Sequence, residues 1–411
     1  MLIRNFDYRR SYFRLEKKRK TGFSFAFRSL IRNFALKITA IMQKARYDIL
    51  DGLRGVAALM VLLYHVFNDA KSFYVWPETV YEFYHGFLGV DFFFILSGFV
   101  MGYAYDRQWD KMTLGSFIKR RLIRLHPMVV MGVLVGLVAF IIQGCTKWDG
   151  TTVTTEAVML VTLLGLFMIP SPTSLEVRGY TEAFPLNGPH WSMFFEYIGS
   201  LLYGLVLHKL STKWLRVWVA CAIVSITAYA LLREDGGIAY GWSSEPMNLC
   251  GGALRMLYAY PMGLLMARMF RERQPKPING HMFLLCSLGL VILLGLPFLG
   301  NKDAETIYQL VCIFSFFPTI IWYGARGIVT GWRQKAVSFL GRLSYPLYAV
   351  HFPFVYLFIT WVERSGYTYT GFSQPWGAAI VTIAASVLTA ILCLLLYDEP
   401  LRKRLSNKKD K

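Results

Sequence analysis

The sequence lacks the short motifs that identify disulfide-rich, metal-binding and nucleotide-binding proteins. Its six cysteines form no Cys-x-x-Cys pair and five of them lie in apolar runs, so neither a disulfide framework nor a structural zinc site is indicated. There is no Walker element, no dinucleotide-binding glycine fingerprint and no metal-ligand spacing. We therefore expect no bound cofactor and no metal ion.

Acidic residues are also scarce, with 25 Asp and Glu against 44 Lys and Arg, for a net charge of +19. The positive charge clusters in loops beside apolar runs, so it does not indicate a nucleic-acid partner. Residues 1–41 hold 11 Lys and Arg against two acidic residues but have no cleavable signal sequence. We expect either that Met42 is the natural start, so that the basic extension 1–41 is not native, or that residues 1–41 form a dispensable surface-binding tail.

Apolar residues dominate what is present, at 55% of the chain, and the mean hydropathy is +0.41. The excess falls into separate runs close to the roughly 20 residues that a helix needs to cross a bilayer. An all-α polytopic membrane protein is therefore predicted, because lipid requires each backbone to satisfy its own hydrogen bonds. The candidate segments are 50–68, 86–105, 127–143, 153–170, 192–207, 214–232, 250–270, 281–299, 306–325, 338–361 and 376–397.

Loop charges then predict the orientation of these segments. Loop 106–126 has six basic residues against two acidic ones, which places it in the cytoplasm, whereas loop 68–85 is acidic and is placed outside. The remaining loops agree if either 153–170 or 192–207 fails to cross. We thus expect about ten spans with both termini in the cytoplasm, a membrane domain over 42–404, and a charged tail over 405–411 that is solvated.

Ionisable residues inside the first two apolar runs are the first candidates for function. Arg54 and His65 lie in the first run and Asp91 in the second, where such groups are costly and usually functional. A helical rise places His65 about 16 Å further out than Arg54. His65 and Asp91 then share a depth, so these three residues are the predicted catalytic group.

Each of these residues has an alternative interpretation. Histidine is the side chain best suited to act as a general base near neutral pH, but His65 could be a histidine that only bonds a neighbouring helix. Asp91 could orient His65, or it could pair with Arg54 or another buried cation as a structural contact. Arg54 could bind a donor phosphate or carbonyl, stabilise an oxyanion, or reach the inner membrane interface.

Six segments resemble the acyltransferase-3 family of integral membrane acyltransferases, and the resemblance runs from about Tyr47 to Arg404. The first two, in this order and at this spacing, are the most specific. The segments are Asp51–His65 (DGLRGVAALMVLLYH), Gly86–Phe99 (GFLGVDFFFILSGF), Phe117–Pro127 (FIKRRLIRLHP), His190–Tyr197 (HWSMFFEY), Leu343–Pro353 (LSYPLYAVHFP) and Asp398–Lys403 (DEPLRK).

The resemblance implies a function and a donor. Arg54 and His65 match an Arg-x10-His element that supplies the essential histidine of the family, and Arg121 and Arg124 match an Arg-x-x-Arg element associated with acyl-CoA. The family implies an O-acyltransferase of the inner membrane that moves an acetyl or other short acyl group to a cell-envelope sugar. The expected partners are acyl-CoA, a carbohydrate acceptor and the lipid bilayer.

Four further residues are possible acceptor-binding or supporting groups. Ser97 is first interpreted as a small residue for close helix contact, and no Gly-x-Ser-x-Gly motif supports a nucleophile there. Trp191 is interpreted as an interfacial anchor and Glu196 as an acceptor contact. His351 lies between Pro346 and Pro353 and is either a second polar group of the site or a packing residue.

Two alternatives remain open at this stage. The first is a transporter or flippase of a sugar-linked lipid, in which intramembrane ionisable groups are also common. The second keeps the fold and changes the substrate, as in succinylation or in acylation of a lipid or an antibiotic. Neither the acceptor nor the oligomeric state follows from the sequence.

Overall fold

The computed structural model describes residues 48–68, 70, 76, 83–279, 281–365 and 375–407. These residues are mostly helical, and their two strands, β1 (Ile278–Asn279) and β2 (Gly327–Ile328), form one parallel pair. The basic extension 1–41 and Met42 lie outside the described residues. The helices are α1 (Asp48–Phe67), α2 (Gly89–Tyr105), α3 (Leu114–Ile142), α4 (Thr155–Leu166), α5 (His190–Leu205), α6 (Thr212–Leu232), α7 (Pro246–Arg273), α8 (Met282–Gly295), α9 (Lys302–Val311), α10 (Phe317–Arg326), α11 (Gly331–Val350), α12 (Phe352–Arg364), α13 (Trp376–Leu392) and α14 (Glu399–Asn407).

Every apolar segment predicted from the sequence contains a helix. Six helices are long and apolar enough to cross a membrane within the described chain, or seven if α11 and α12 count as one bent span. The all-α, membrane-spanning class is therefore confirmed. The total of ten spans and the cytoplasmic position of both termini stay predictions.

Helix length bears on the segment that was expected not to cross. α4 has 12 residues and α5 has 16, which correspond to about 18 Å and about 24 Å against a hydrocarbon core of roughly 30 Å. The shorter helix, α4, is therefore the better candidate for a segment that stays on one side. Epitope tags in the loops 171–190 and 208–213 would test this assignment.

Short polar side chains begin several helices where the chain turns at the end of a span. Such residues accept a hydrogen bond from the otherwise unpaired backbone N–H groups of the first helical turn. These caps therefore mark where the helices begin. The capping residues that accept such a bond are Thr113, Thr154, Ser211 and Asn301.

α2 and α7 cross at very short range. A Cβ atom at Gly98 would lie 2.0 Å from the Tyr260 carbonyl oxygen, and one at Gly263 would lie 1.9 Å from the Ile95 carbonyl oxygen. Only glycine permits two helix backbones to approach this closely. The crossing holds α7 against α2 and so places an arginine of α7 beside Asp91.

Candidate active site

A cavity of about 180 Å³ lies among α1, α2, α3, α5, α11 and α14. We call it the arginine cavity, because four arginines and two carboxylates are among the residues that line it. These groups give the lining an excess of positive charge. The six residues are Arg54, Arg124, Arg342, Arg402, Asp51 and Glu196.

Three of the four arginines of the cavity are held by carboxylates. Such pairs fix the direction of each guanidinium while leaving some of its N–H donors available. Two of them involve α14, which follows the last apolar segment. The pairs are Arg54 with Asp51 (2.8 Å), Arg342 with Glu399 (2.7 Å) and Arg402 with Asp398 (2.6 Å).

Arg124 is the exception. It lines the cavity, yet it makes no ion pair with a carboxylate anywhere in the described part of the chain. An arginine that is half-buried in a cavity without an anionic partner is suited to bind an anion from outside the protein. The sequence prediction that Arg124 contacts a donor phosphate is therefore compatible with its position.

Arg121 lies differently from Arg124, although both were predicted to bind the donor. Its side chain is buried and does not line the cavity. Its Nη2 donates to Glu196 Oε1 at 2.9 Å and its Nε donates to Ser200 at 3.1 Å. The position of Arg121 therefore does not support direct contact with the donor. Residues three apart on a helix differ enough in direction for one to face a cavity and the other a neighbouring helix.

Glu196 and Ser97 meet at the wall of the arginine cavity. Ser97 Oγ donates to Glu196 Oε1 at 3.2 Å, and the same oxygen accepts from Arg121. Glu196 was predicted to contact the acceptor, but it lies among the arginines, where it holds Arg121 and Ser97. Ser97 is followed by Gly98 at the crossing of α2 and α7, in agreement with its interpretation as a contact residue.

His65 contacts other rings and lies beyond the residues that line the arginine cavity. Its ring centroid is 5.2 Å from that of His351 and 4.6 Å from that of Phe352. The Tyr348 ring, which lines the cavity, is 5.8 Å from His351 and 5.4 Å from Phe93. Tyr348 and His351 therefore lie between the cavity and His65.

Asp91 pairs with a cation that sequence analysis did not single out. Arg255 Nε donates to Asp91 Oδ1 at 3.0 Å and Nη2 donates to Oδ2 at 2.7 Å, and both side chains are almost fully buried. Arg255 also donates to the carbonyl oxygen of Tyr240 at 2.8 Å. Asp91 therefore pairs with a buried cation other than Arg54, which was the alternative interpretation, and both of its carboxylate oxygens are bonded to Arg255 instead of His65.

Trp191 belongs to this buried pair and not to the membrane interface. It is 8% exposed, and the Arg255 guanidinium lies 5.1 Å from its ring centroid. This burial does not support the predicted role of an interfacial anchor, which stays a prediction. The aromatic face supports the arginine that holds Asp91.

His351 is the junction between α11 and α12, which are bent by 49° relative to each other. Its Nδ1 lies 3.1 Å from the Leu347 carbonyl oxygen and 3.0 Å from that of Tyr348. The sequence left its role open between a polar site group and a packing residue. Its contact with His65 brings it to the candidate site.

The site contains residues that sequence analysis did not propose. Arg255 lies inside the apolar segment 250–270, so the rule that selected His65 also applies to it. Arg402 lies in the charged stretch after the last apolar segment and was not proposed as a site residue, yet its partner Asp398 is buried and Arg402 itself lines the cavity. In the described residues, no group of three or more His, Cys, Asp and Glu side chains could hold a metal ion.

Comparison with known proteins gives the family. A family model described as an acyltransferase domain, that of the acyltransferase-3 family, matches residues 47–398. The acyltransferase MdmB of Streptomyces mycarofaciens is 24% identical over 370 residues, which are 84% of this chain and 87% of that protein. The peptidoglycan O-acetyltransferase OatA of Listeria monocytogenes is 24% identical over 385 residues, which are 86% of this chain and 55% of that protein.

A shorter match covers part of the chain. Protein 2 in the picA locus of Rhizobium radiobacter is 33% identical over 171 residues, which are 38% of this chain and 81% of that protein. No solved structure matches the chain. Since the family model spans most of the sequence and the helices can cross a membrane, the chain belongs to the acyltransferase-3 family and is an integral membrane O-acyltransferase.

Proposed function

We propose that this protein transfers an acetyl or another short acyl group from acyl-CoA to a hydroxyl group of a cell-envelope sugar, with His65 as the general base. The protein then lies in the inner membrane, with the donor entering from the cytoplasm and the acceptor from the outer side. The observation that carries the proposal is the arginine cavity, in which Arg124 has no carboxylate partner among the described residues.

The charge of the cavity supports an anionic donor. Coenzyme A carries several phosphate groups, and arginine binds phosphate through two parallel hydrogen bonds. Arg124 is available for such a contact, and Arg54 lies on the same wall with its Nη1 held by Asp51. We therefore place the donor phosphates beside Arg54 and Arg124.

The distance along α1 supports a role of Arg54 in donor binding and not at the reacting carbonyl. Eleven residues of helix separate it from His65, or about 16 Å, which is more than an arginine side chain can reach. Coenzyme A holds its thioester at the end of a long, flexible arm. Phosphates at Arg54 and a thioester at His65 are therefore compatible, provided that the arm passes the ring pair of Phe93 and Tyr348.

The chemistry at His65 is a proton transfer coupled to acyl transfer. A ring nitrogen of His65 takes the proton of the acceptor hydroxyl as that oxygen attacks the thioester carbon, and a C–O bond forms. The tetrahedral intermediate then collapses, the C–S bond breaks, and the proton on His65 passes to the departing thiolate. Coenzyme A leaves as the thiol, and the imidazole is neutral again.

The acceptor is the least determined part of the proposal. One relative is named as a peptidoglycan O-acetyltransferase, which supports a cell-envelope polysaccharide. However, the aligned region covers only 55% of that peptidoglycan O-acetyltransferase. Another relative is named only as an acyltransferase. Succinyl transfer, or transfer to a lipid or an antibiotic, uses the same donor cavity and the same base.

The test combines a cellular and a purified assay. Mass spectrometry of envelope glycans from cells with and without the gene gives the acyl mass and the acceptor together. The purified chain in lipid bilayers is then given [14C]acetyl-CoA and the glycan. We expect label in an alkali-sensitive ester. The proposal is overturned if the glycans are identical and the protein neither binds acyl-CoA nor releases coenzyme A from it.

A further inference from the structure

The break between α11 and α12 gives His351 a defined place. Pro353 has no N–H, so the carbonyl oxygen of Ala349, four residues earlier, has no helical donor. Asn187 Nδ2 donates to that oxygen at 2.7 Å, and the Phe354 N–H donates to the His351 carbonyl oxygen at 3.1 Å. The junction is therefore held by one hydrogen bond from outside these helices, that of Asn187, and by a local one at the start of α12, and the His351 ring is fixed with it.

The contacts of the His351 ring determine where its hydrogen lies. Nδ1 faces the carbonyl oxygens of Leu347 and Tyr348, at 3.1 and 3.0 Å. A carbonyl oxygen can only accept a hydrogen bond, so Nδ1 is the nitrogen that carries the hydrogen. In the neutral ring, Nε2 then has a lone pair without a hydrogen and can only accept a hydrogen bond.

This acceptor is buried and unsatisfied. His351 is 1% exposed, and its Nε2 has no hydrogen-bond partner in the described part of the chain. Buried polar atoms without a partner are uncommon in folded proteins, because the lost solvation is not replaced. Such an atom in a functional region calls for a group that donates to it.

The neighbouring ring that can supply this donor is His65. The two ring centroids are 5.2 Å apart, with an angle of 32° between the ring planes. The structure itself contains no hydrogen bond between the two rings, since His351 Nε2 has no partner among the described residues. Because ring nitrogens project outward from the ring centre, a rotation of the His65 ring at this centroid separation can bring facing nitrogens to about 3 Å, the length of a hydrogen bond. Phe352, whose ring meets His65 edge to face at 4.6 Å, limits the other orientations of the ring.

We propose that His351 is the positioning residue of His65. In the reacting arrangement, after rotation of the His65 ring, the unprotonated Nε2 of His351 accepts a hydrogen bond from one His65 nitrogen, and the other nitrogen then has the lone pair that takes the acceptor's proton. When His65 holds that proton, the same hydrogen bond stabilises the imidazolium ion until the proton passes to the thiolate. This inference depends on His65 being the base of the proposed function.

The proposal assigns to an imidazole the part that a carboxylate plays in a catalytic triad. Asp91, the carboxylate nearest in depth by sequence reasoning, has both oxygens bonded to Arg255. An uncharged partner suits a site within the membrane, because an isolated buried carboxylate would be costly there. In this arrangement the backbone carbonyl groups of the α11–α12 junction orient the His351 ring, and no charged side chain is needed to orient it.

Two substitutions separate a positioning role from a structural one. His351→Asn keeps an amide N–H near the position of Nδ1, where it can donate to the carbonyls, but removes the acceptor at Nε2. His351→Gln places an amide oxygen near Nε2 and gives up the Nδ1 donor. We expect His351→Asn to lower kcat by about 10- to 100-fold, the range seen when an orienting partner of histidine is removed, and His351→Gln to retain most of it.

The controls follow from the same contacts. The KM for acetyl-CoA should stay constant in both variants, because the arginine cavity lies away from His351. Ser386 Oγ lies 3.5 Å from the His351 carbonyl oxygen, so Ser386→Ala disturbs the junction without touching the ring and should keep the transfer rate. The reverse order, with Asn active and Gln inactive, would show that His351 only holds the helix junction and would overturn the proposal.

A second measurement does not depend on enzymatic activity. In the full chain labelled with [15N]histidine and reconstituted in bilayers, the His351 signals, assigned by their loss in His351→Asn, should show a protonated Nδ1 and an unprotonated Nε2. His65→Ala should shift the Nε2 signal, because its donor is lost. The inference is rejected if Nε2 carries a hydrogen or if its signal is unchanged in His65→Ala, even if acetyl transfer is confirmed. An inactive wild-type protein with the expected signals rejects the proposed function alone.

Discussion

The two ends of α1 differ in the chemistry that surrounds them. Around Arg54 the described side chains form ion pairs that line a cavity, whereas around His65 the described ring contacts are with Tyr64, His351 and Phe352. Ion pairs at a cavity wall suit an anionic ligand that arrives from water. A histidine among rings suits the proton transfer of the proposed function. Under that proposal, one helix joins a donor-binding end to a reacting end.

The largest effect is expected at the reacting end. His65→Ala should lower the transfer rate by about 100- to 10,000-fold, the usual contribution of a general base. Acetyl transfer by the purified protein measures it, and the amount of protein in the membrane should not change. His281, which is exposed at the start of α8, provides a control, since His281→Ala should leave the rate unchanged. A fully active His65→Ala would show that His65 is not the base. The proposed contrast between a donor-binding end and a reacting end of α1 would then also be wrong.

Asp91→Asn should act on stability more than on the chemical step. It leaves the buried Arg255 without its carboxylate, and loss of one partner of a buried pair typically costs about 3–5 kcal/mol. Thermal unfolding of the detergent-solubilised protein should therefore shift to lower temperature, and protein that remains folded should keep a kcat near that of the wild type. A stable Asp91→Asn protein with a strongly reduced kcat would instead restore Asp91 as the partner of His65.

The binding end should respond in donor affinity. Arg124→Gln should raise the KM for acetyl-CoA roughly 10- to 100-fold, as expected for loss of a hydrogen bond to a charged group, with little change in kcat. Arg121→Gln is the matched variant three residues away, and it should lower stability because it leaves Glu196 without its arginine. Equal effects of both substitutions on the KM would show that the two arginines bind the donor together.

The smallest effect is expected at the rim of the cavity. The Arg342 side chain is 51% exposed, and its pair with Glu399 is open to solvent. Arg342→Gln should change stability by less than about 1 kcal/mol and the donor KM by less than about fivefold, since exposed pairs contribute little. The KM measured at increasing salt checks this, because the remaining attraction should be screened. A KM change as large as that of Arg124→Gln would mark Arg342 as a direct ligand of the phosphates.

The outcome of the sequence analysis depended on the kind of feature that was predicted. Every predicted apolar run contains a helix, since the cost of burying an unpaired backbone in lipid leaves few alternatives to a helix, whereas the charged helix α14 lies outside these runs. The rule on intramembrane ionisable residues selected Arg54, His65 and Asp91, and Arg54 and Asp91 lie in ordered polar contacts. The same rule would have selected Arg255. Arg402 was missed because a charged segment after the last apolar run is usually solvated.

The sequence by itself determined that the apolar segments are helical and how far apart the ionisable groups of one helix lie along its axis, because apolar length and helical rise are local properties of the chain. Tertiary structure alone decided the partners: Asp91 with Arg255, Arg121 with Glu196, and His65 beside His351. Partners depend on how each helix is rotated about its axis and on which helices are neighbours. Both are set by close contacts such as those of Gly98 and Gly263, which join residues far apart in sequence.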